Sequence, residues 1–233
     1  MTPNLLLTGS SRGIGAATFD ALHARTRLLG HATRAGEQTL AADLSQPGAA
    51  EGLWEAALDG LDGRIDVLVN NAGVFEASAL DGPDWLAEWQ RTLTINLTAA
   101  AELCRLAVLH WQATGRPGRI VNVASRAAHR GDSPAHWHYA ASKAGLVAVT
   151  KTIARAYAGQ SILAFAVCPG FVQTGMAEDY LASRGGDALL ADIPLGRVAS
   201  PDEIAAIVAW LALDAPASMT GAVVDANGAS YVR

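Results

Sequence analysis

The chain has 233 residues, 51% of them hydrophobic and 17% charged, with a net charge of −5. That composition supplies the core of one large α/β unit, residues 1–233, and excludes a disordered chain. The modest negative charge excludes a general electrostatic footprint for nucleic acid or an anionic membrane, and points to small molecules or sister subunits as partners.

The opening residues, Met1 to Thr8, contain no basic stretch, and their apolar run is too short for a signal peptide. No run approaches the roughly 20 consecutive apolar residues of a membrane span. Asn4 to Thr8 reads as a strand, closed by Gly9, and Gly15 to about Thr26 continues at helical spacing. Leu28 to Thr33, Thr39 to Asp43 and Ile65 to Val69 are three further short apolar strands. Helical patterns cover Ala49 to Leu58 and about Asp84 to Ala113. Ile120 to Ala124 and Ile162 to Val167 are strands on either side of a helix that carries Tyr139 and runs to about Ala158. Pro201 to Leu213 has the marks of a helix start, with Ser200 at the cap, Pro201 first and Glu203 third. Ala222 to Asp225 is a last strand. Cys104 and Cys168 are far apart in sequence and read as buried free thiols in a reducing compartment, so a cytoplasmic location is expected.

Apolar strands alternating with helices imply a doubly wound parallel sheet of about seven strands, an α/β Rossmann-type fold. Only about six residues separate Thr33 from Thr39, too few for an ordinary parallel crossover. The helix between strands two and three is therefore expected to be shortened or absent.

Two local patterns carry chemistry. Thr8-Gly9-Ser10-Ser11-Arg12-Gly13-Ile14-Gly15 lies between the first strand and first helix, where glycines allow close approach of a pyrophosphate and the helix start offers free N–H groups. Its spacing is G-x-x-x-G-x-G rather than the general dinucleotide fingerprint G-x-G-x-x-G. Tyr139 and Lys143 stand four apart on one helical face. Only Lys143 and Lys151 are lysines among seventeen basic residues, so a compact ammonium stands here in a chain that otherwise prefers arginine.

The glycine turn, Asn70-Asn71-Ala72-Gly73, Asn96, Ser125, Tyr139 with Lys143, and Pro169-Gly170 followed by Thr174 resemble, in order, the motifs of the short-chain dehydrogenase/reductases. The likeness covers nearly the whole chain and is strongest to the branch of 3-oxoacyl-acyl-carrier-protein reductases. It implies a catalytic tetrad of Asn96, Ser125, Tyr139 and Lys143. Tyr139 would be the general acid in reduction, with its pKa brought down by about 3 units from about 10 through Lys143 and an oxidised nicotinamide. Lys143 would also bond the nicotinamide ribose, Ser125 the substrate oxygen, and Asn96 a water in the proton path.

By the same resemblance the cofactor contacts comprise Gly9, Ser11, Arg12, Gly13, Ile14, Gly15, Asp43, Leu44, Asn70, Ala72, Gly73, Pro169, Gly170, Val172 and Thr174, beside Tyr139 and Lys143. Asp43 would accept from the adenine amino group. It is as readily a turn aspartate, with Ser45 and Pro47 following. An acid that would select NAD is missing at the end of strand two, where Thr33-Arg34 stands. Arg34 and Arg12 suit a 2′-phosphate, so NADP(H) is expected over NAD(H).

Fourteen positions separate Ser125 from Tyr139, one more than usual in the family. Trp137 and His138 are expected to line the substrate pocket, and His129 and His136 to be loop surface. The positions of the three histidines match no metal-ligand spacing, so no metal is expected. Gly175 to Ala191 resembles a substrate lid. The whole implies a reductase of ketones or aldehydes that assembles as a homodimer or homotetramer. The alternative is a catalytically silent NADP(H)-binding sensor or scaffold.

Overall fold

A computed structural model describes residues 2–173 and 190–233. Seven parallel strands form one sheet in the order β3-β2-β1-β4-β5-β6-β7: β1 Asn4–Leu7, β2 Arg27–Ala32, β3 Thr39–Ala41, β4 Val67–Asn70, β5 Gly118–Val123, β6 Ile162–Pro169 and β7 Val223–Ala226. The order reverses between β1 and β4, which creates the crevice at the carboxyl edge where ligands of such sheets bind.

Helices α2 (Ala49–Gly60), α4 (Ala99–Thr114) and α6 (Trp137–Tyr157) cover one face. Their core is built on Trp54, Leu103, Trp111 and Ile153. Helix α1 (Gly13–His23) and helix α7 (Pro201–Leu213) cover the other, packing Leu22, Ile204, Val208 and Leu211 on Leu5, Val121 and Phe165. All eight residues of β6 are buried, as expected of a central strand clothed on both faces. The start of α7 is as the sequence implies. Ser200 Oγ accepts from Glu203 N at 3.2 Å, and Glu203 Oε2 accepts from Ser200 N at 2.8 Å.

No helix joins β2 to β3. The chain folds back on itself through paired backbone bonds between Gly36 and Thr39, 3.1 Å each way, and Thr39 lands beside Gly30. Six residues suffice because the return reaches back along β2 instead of crossing a sheet face.

The helix expected over Asp84 to Ala113 is observed as α3 (Trp85–Leu93) running into α4 through a π-helical turn, Thr94–Thr98. The combined Trp85–Thr114 helix, though it holds no long uninterrupted apolar run, is long and apolar enough by length and composition to cross a membrane. Half of that apolar window is buried in the protein, and its apolar side is core. A short helix, α5 (Ala127–Arg130), occupies the lengthened segment after Ser125.

Candidate active site

The glycine turn leaves β1 and enters α1. Gly9 has φ +69°, and a methyl on it would approach Ala72 Cα to 2.7 Å; one on Gly15 would overlap the Gly9 carbonyl oxygen. The turn therefore packs directly on the end of β4. Thr8 Oγ1 accepts from the backbone N–H groups of Asn71 and Ala72, both at 3.0 Å, and Asn71 Nδ2 donates to the carbonyls of Thr8 and Gly9 at 3.1 and 2.9 Å.

A residue that pattern reading did not single out ties this turn to the next strands. Gly9 N–H donates to His31 Nδ1 at 3.2 Å, so the ring is neutral with its proton on Nε2, which donates to Ala42 O at 3.1 Å. Burial lowers the His31 pKa, in keeping with that state. His31 lay hidden because a histidine inside an apolar run looks like strand filling; only the β1–β2–β3 register brings its two partners to it.

The residues here fit a dinucleotide phosphate group. Arg12 precedes α1 in extended conformation and its side chain does not cap the helix, which leaves the first-turn N–H groups without that cap. Ser11, Arg12 and Arg34 are exposed, and among the described residues neither arginine makes an ion pair. Arg12 and Arg34 follow the carboxyl ends of the adjacent strands β1 and β2 in the chain. Ile14 packs half-buried against the core.

Asp43 is an exposed turn aspartate whose Oδ1 accepts from Ser45 N (3.0 Å) and Ser45 Oγ (2.7 Å), which lowers its pKa; the neighbouring Leu44 side chain is buried in the core. Asn70 likewise turns inward, its Nδ2 donating to Asn122 Oδ1 at 2.9 Å. The side chains of Asn70 and Leu44 are thus scaffold, and what they present to the crevice is backbone.

At the other end of the edge, Ser125 follows β5, and Tyr139 and Lys143 come from the first turns of α6. The Ser125 hydroxyl stands near enough to the Tyr139 phenol to favour its charged form. Lys143 Nζ is buried and donates to Val123 O at 2.9 Å, 5.8 Å from the centre of the Tyr139 ring. Gly73 faces the same space: a methyl there would lie 3.3 Å from Asn96 Oδ1 and 3.4 Å from Lys143 Nζ. The four tetrad candidates therefore meet at one point of the crevice. Pro169 and Gly170 close β6 beside them, Gly170 against Asn227, and Val172 bridges to Ala199. Thr174, and residues 175–189 of the expected lid, lie outside the described residues.

The chain's own groups do not by themselves produce the downward shift of Tyr139 that the resemblance implies for Lys143 together with an oxidised nicotinamide: burial pushes its phenol up to about 12, despite the nearby Ser125 hydroxyl, and brings Lys143 down to about 8. Desolvation disfavours both charged forms. Asn96 lies in the π turn, and its side chain forms a two-way clamp on Val74, accepting from N at 2.8 Å and donating to O at 2.9 Å. Such turns recur at functional positions because the extra residue re-aims the helix.

The histidines, finally, are distributed otherwise than the sequence suggests. His136 is buried and stacks on Phe75 with centroids 4.0 Å apart, and Phe75 in turn meets Tyr139 edge-on at 4.7 Å. His129 reaches inward to Cys168. Trp137 is 54% exposed, and His138 is buried. Phe75 and His136, not Trp137, border the phenol. An aromatic two residues beyond Gly73 was the available sign for Phe75.

A family model described as Enoyl-(Acyl carrier protein) reductase matches residues 10–228. The chain is 35% identical to 3-oxoacyl-acyl-carrier-protein reductase FabG of Vibrio cholerae, over 97% of this chain and 96% of that protein. It is 33% identical to 3beta-hydroxysteroid dehydrogenase 1 of Eggerthella lenta, over 96% and 92%. A crystal structure from Agrobacterium tumefaciens, described as a candidate 2-deoxy-d-gluconate 3-dehydrogenase with bound NADP, superposes with a TM-score of 0.89 at 27% identity, covering 99% of this chain and 97% of that one. Together with the parallel sheet and the shared edge, these likenesses identify the chain as a member of the short-chain dehydrogenase/reductase family of oxidoreductases.

Proposed function

We propose that the protein is an NADPH-dependent reductase of ketones or aldehydes, reversible in direction, with Tyr139 as the proton donor. The observation that carries this reading is the convergence at the sheet edge of the Tyr139 phenol, the nearby Ser125 hydroxyl and the buried Lys143 ammonium, whose Nζ lies 5.8 Å from the centre of the Tyr139 ring. The cofactor, when bound, supplies a hydride to the carbonyl carbon. The carbonyl oxygen then gains negative charge within reach of two hydroxyls, Ser125 to stabilise it and Tyr139 to protonate it. Burial keeps the phenol protonated but makes it a weaker acid, so proton transfer relies on the charge that develops on the carbonyl oxygen and on Lys143, which favours the phenolate left behind. Asn96 and Gly73 keep the floor of the site open next to Lys143.

NADP over NAD rests on Arg12 and Arg34, and on the NADP in the structural relative. The relatives named for acyl-carrier-protein and steroid substrates share this scaffold, so the carbonyl partner of this chain is defined here only by class. A single unit spanning the chain and a homodimer or homotetramer complete the reading.

The test is NADPH oxidation over a panel of ketones, aldehydes and 3-oxoacyl thioesters, with Tyr139→Phe as control. Turnover that the variant loses supports the reading. Tight NADPH binding with no turnover on any carbonyl would instead establish a sensor. Because Lys143 titrates at about 8, kcat/KM for reduction is expected to decline as pH rises through that value, well before the phenol ionises. A profile flat to pH 10 would show that the ammonium is not required.

A further inference from the structure

The sheet edge beyond Ser125 holds a second group of reactive side chains. Cys168 and Asp225 are register partners on the adjacent strands β6 and β7, so their side chains emerge side by side on the same face. The short helix α5 lowers His129 onto them. Cys168 Sγ lies 3.6 Å from His129 Nε2, His129 Nε2 lies 4.0 Å from Asp225 Oδ1, and the three donor atoms all fall within 4.8 Å of one another.

We propose that His129, Cys168 and Asp225 form a site for a divalent transition metal of the Zn²⁺ class, with the fourth tetrahedral position open to water. At the usual zinc bond lengths, tetrahedral N, S and O donors sit about 3.3–3.6 Å apart. The sulfur–nitrogen pair is already at that spacing, the His129–Asp225 separation has to close by about 0.7 Å, and the Cys168–Asp225 separation, within 4.8 Å, by no more than about 1.3 Å.

The surroundings are those of an oriented ligand set. Arg233 Nε donates to Asp225 Oδ2 at 2.8 Å, which fixes the carboxylate and leaves Oδ1 toward His129. The His129 ring stacks on Tyr231 with centroids 5.8 Å apart and planes within 6°. The Ser125 backbone N–H lies near Cys168 and favours its thiolate. Second partners of this kind hold ligating groups in place. His129 and Asp225 keep 13% and 24% of their side-chain surface exposed, which gives the ion a way in, while Cys168 is buried.

Charge balances as well. As a sulfur–metal bond forms, the Cys168 thiol gives its proton to solvent, and thiolate plus carboxylate then neutralise the dication. In the metal-free protein burial and Asp225 push the thiol up to about 11, whereas Ser125 N–H, Arg233 and Lys143 favour the thiolate. A metal here would pin α5 to β6 and β7 directly behind Ser125, giving the lengthened segment a fixed anchor that no linear spacing of its histidines reveals.

The experiment is Co²⁺ titration of the chelator-treated full chain, read by visible d–d bands and near-ultraviolet sulfur-to-cobalt charge transfer, followed by displacement with Zn²⁺. Expected are one ion per chain, a Zn²⁺-dependent rise in Tm, binding at least tenfold weaker in His129→Ala and in Asp225→Asn, and no charge-transfer band in Cys168→Ala. The His129 and Asp225 variants decide the matter if Cys168→Ala fails to fold, since both side chains are partly exposed. Absence of binding at micromolar Co²⁺ overturns the site. So does binding unchanged in His129→Ala and Asp225→Asn, or a charge-transfer band that survives Cys168→Ala and disappears in Cys104→Ala.

Discussion

The two ends of the sheet's carboxyl edge are built on opposite terms. At the β1–β2–β4 end, Thr8, Asn71 and His31 each satisfy backbone groups, and the glycine turn is held by contacts that admit no extra carbon. At the β5–β6 end, Ser125, Tyr139 and Lys143 are brought together by burial that strains their ionisation, the phenol upward and the ammonium downward. The first end is a rigid mould set by close packing. The second is a set of side chains set by desolvation. Substitutions should therefore act on shape and affinity at one end and on chemistry at the other.

The largest effect is expected from Tyr139→Phe. It removes the proposed proton donor and should lower kcat by about 10²–10⁴-fold while NADPH binding, read by fluorescence, stays within a few fold. A comparable loss of binding would mean that the phenol belongs to the mould. Gly15→Ala is the converse case. The added methyl overlaps the Gly9 carbonyl oxygen, and the turn must open, with a loss of about 1–3 kcal/mol of stability and of NADPH affinity ahead of any change in kcat. Unchanged Tm and affinity would refute the packing argument.

Arg34→Ala should raise the KM for NADPH about ten- to hundredfold and leave NADH nearly untouched, one charge-assisted bond being worth about 1.5–3 kcal/mol. Equal changes for both cofactors would remove Arg34 from phosphate recognition. The smallest effect concerns His31. Its folded pKa is lowered, so folding favours the neutral ring, and stability is complete above its ordinary value near 6.5 and declines as pH falls below it toward the lowered folded value. NADPH affinity, measured between pH 7 and pH 5, should fall by a few fold more in the native chain than in His31→Gln, in which the ring's titration is gone. Identical profiles would show that the ring does not control the turn.

What could be read in the chain follows the same division. The seven strands, the missing β2–β3 helix, the capping box at Ser200 and the Tyr139/Lys143 spacing are all local: strand alternation, loop length, cap chemistry and the i to i+4 rule act over a few residues. The glycine turn belongs with them, because its requirement for small residues is written in the turn itself.

Tertiary structure decided the rest, since distance in the chain is no measure of distance in the fold. The π turn that aims Asn96 at Val74 arises where a long helix passes the end of β4. Phe75 and His136 are sixty-one positions apart and stack only because the loop after Gly73 meets the start of α6. His31 reaches its partners through strand pairing, and His129 reaches Cys168 through a four-residue helix. The same holds for ionisation. The sequence by itself placed a phenol and an ammonium on one helical face; whether their charges are favoured was set by burial, which depends on everything packed around them. Motif order and local geometry were thus determined by the residues, while the state of the reactive groups and the convergence of His129, Cys168 and Asp225 were determined by the fold.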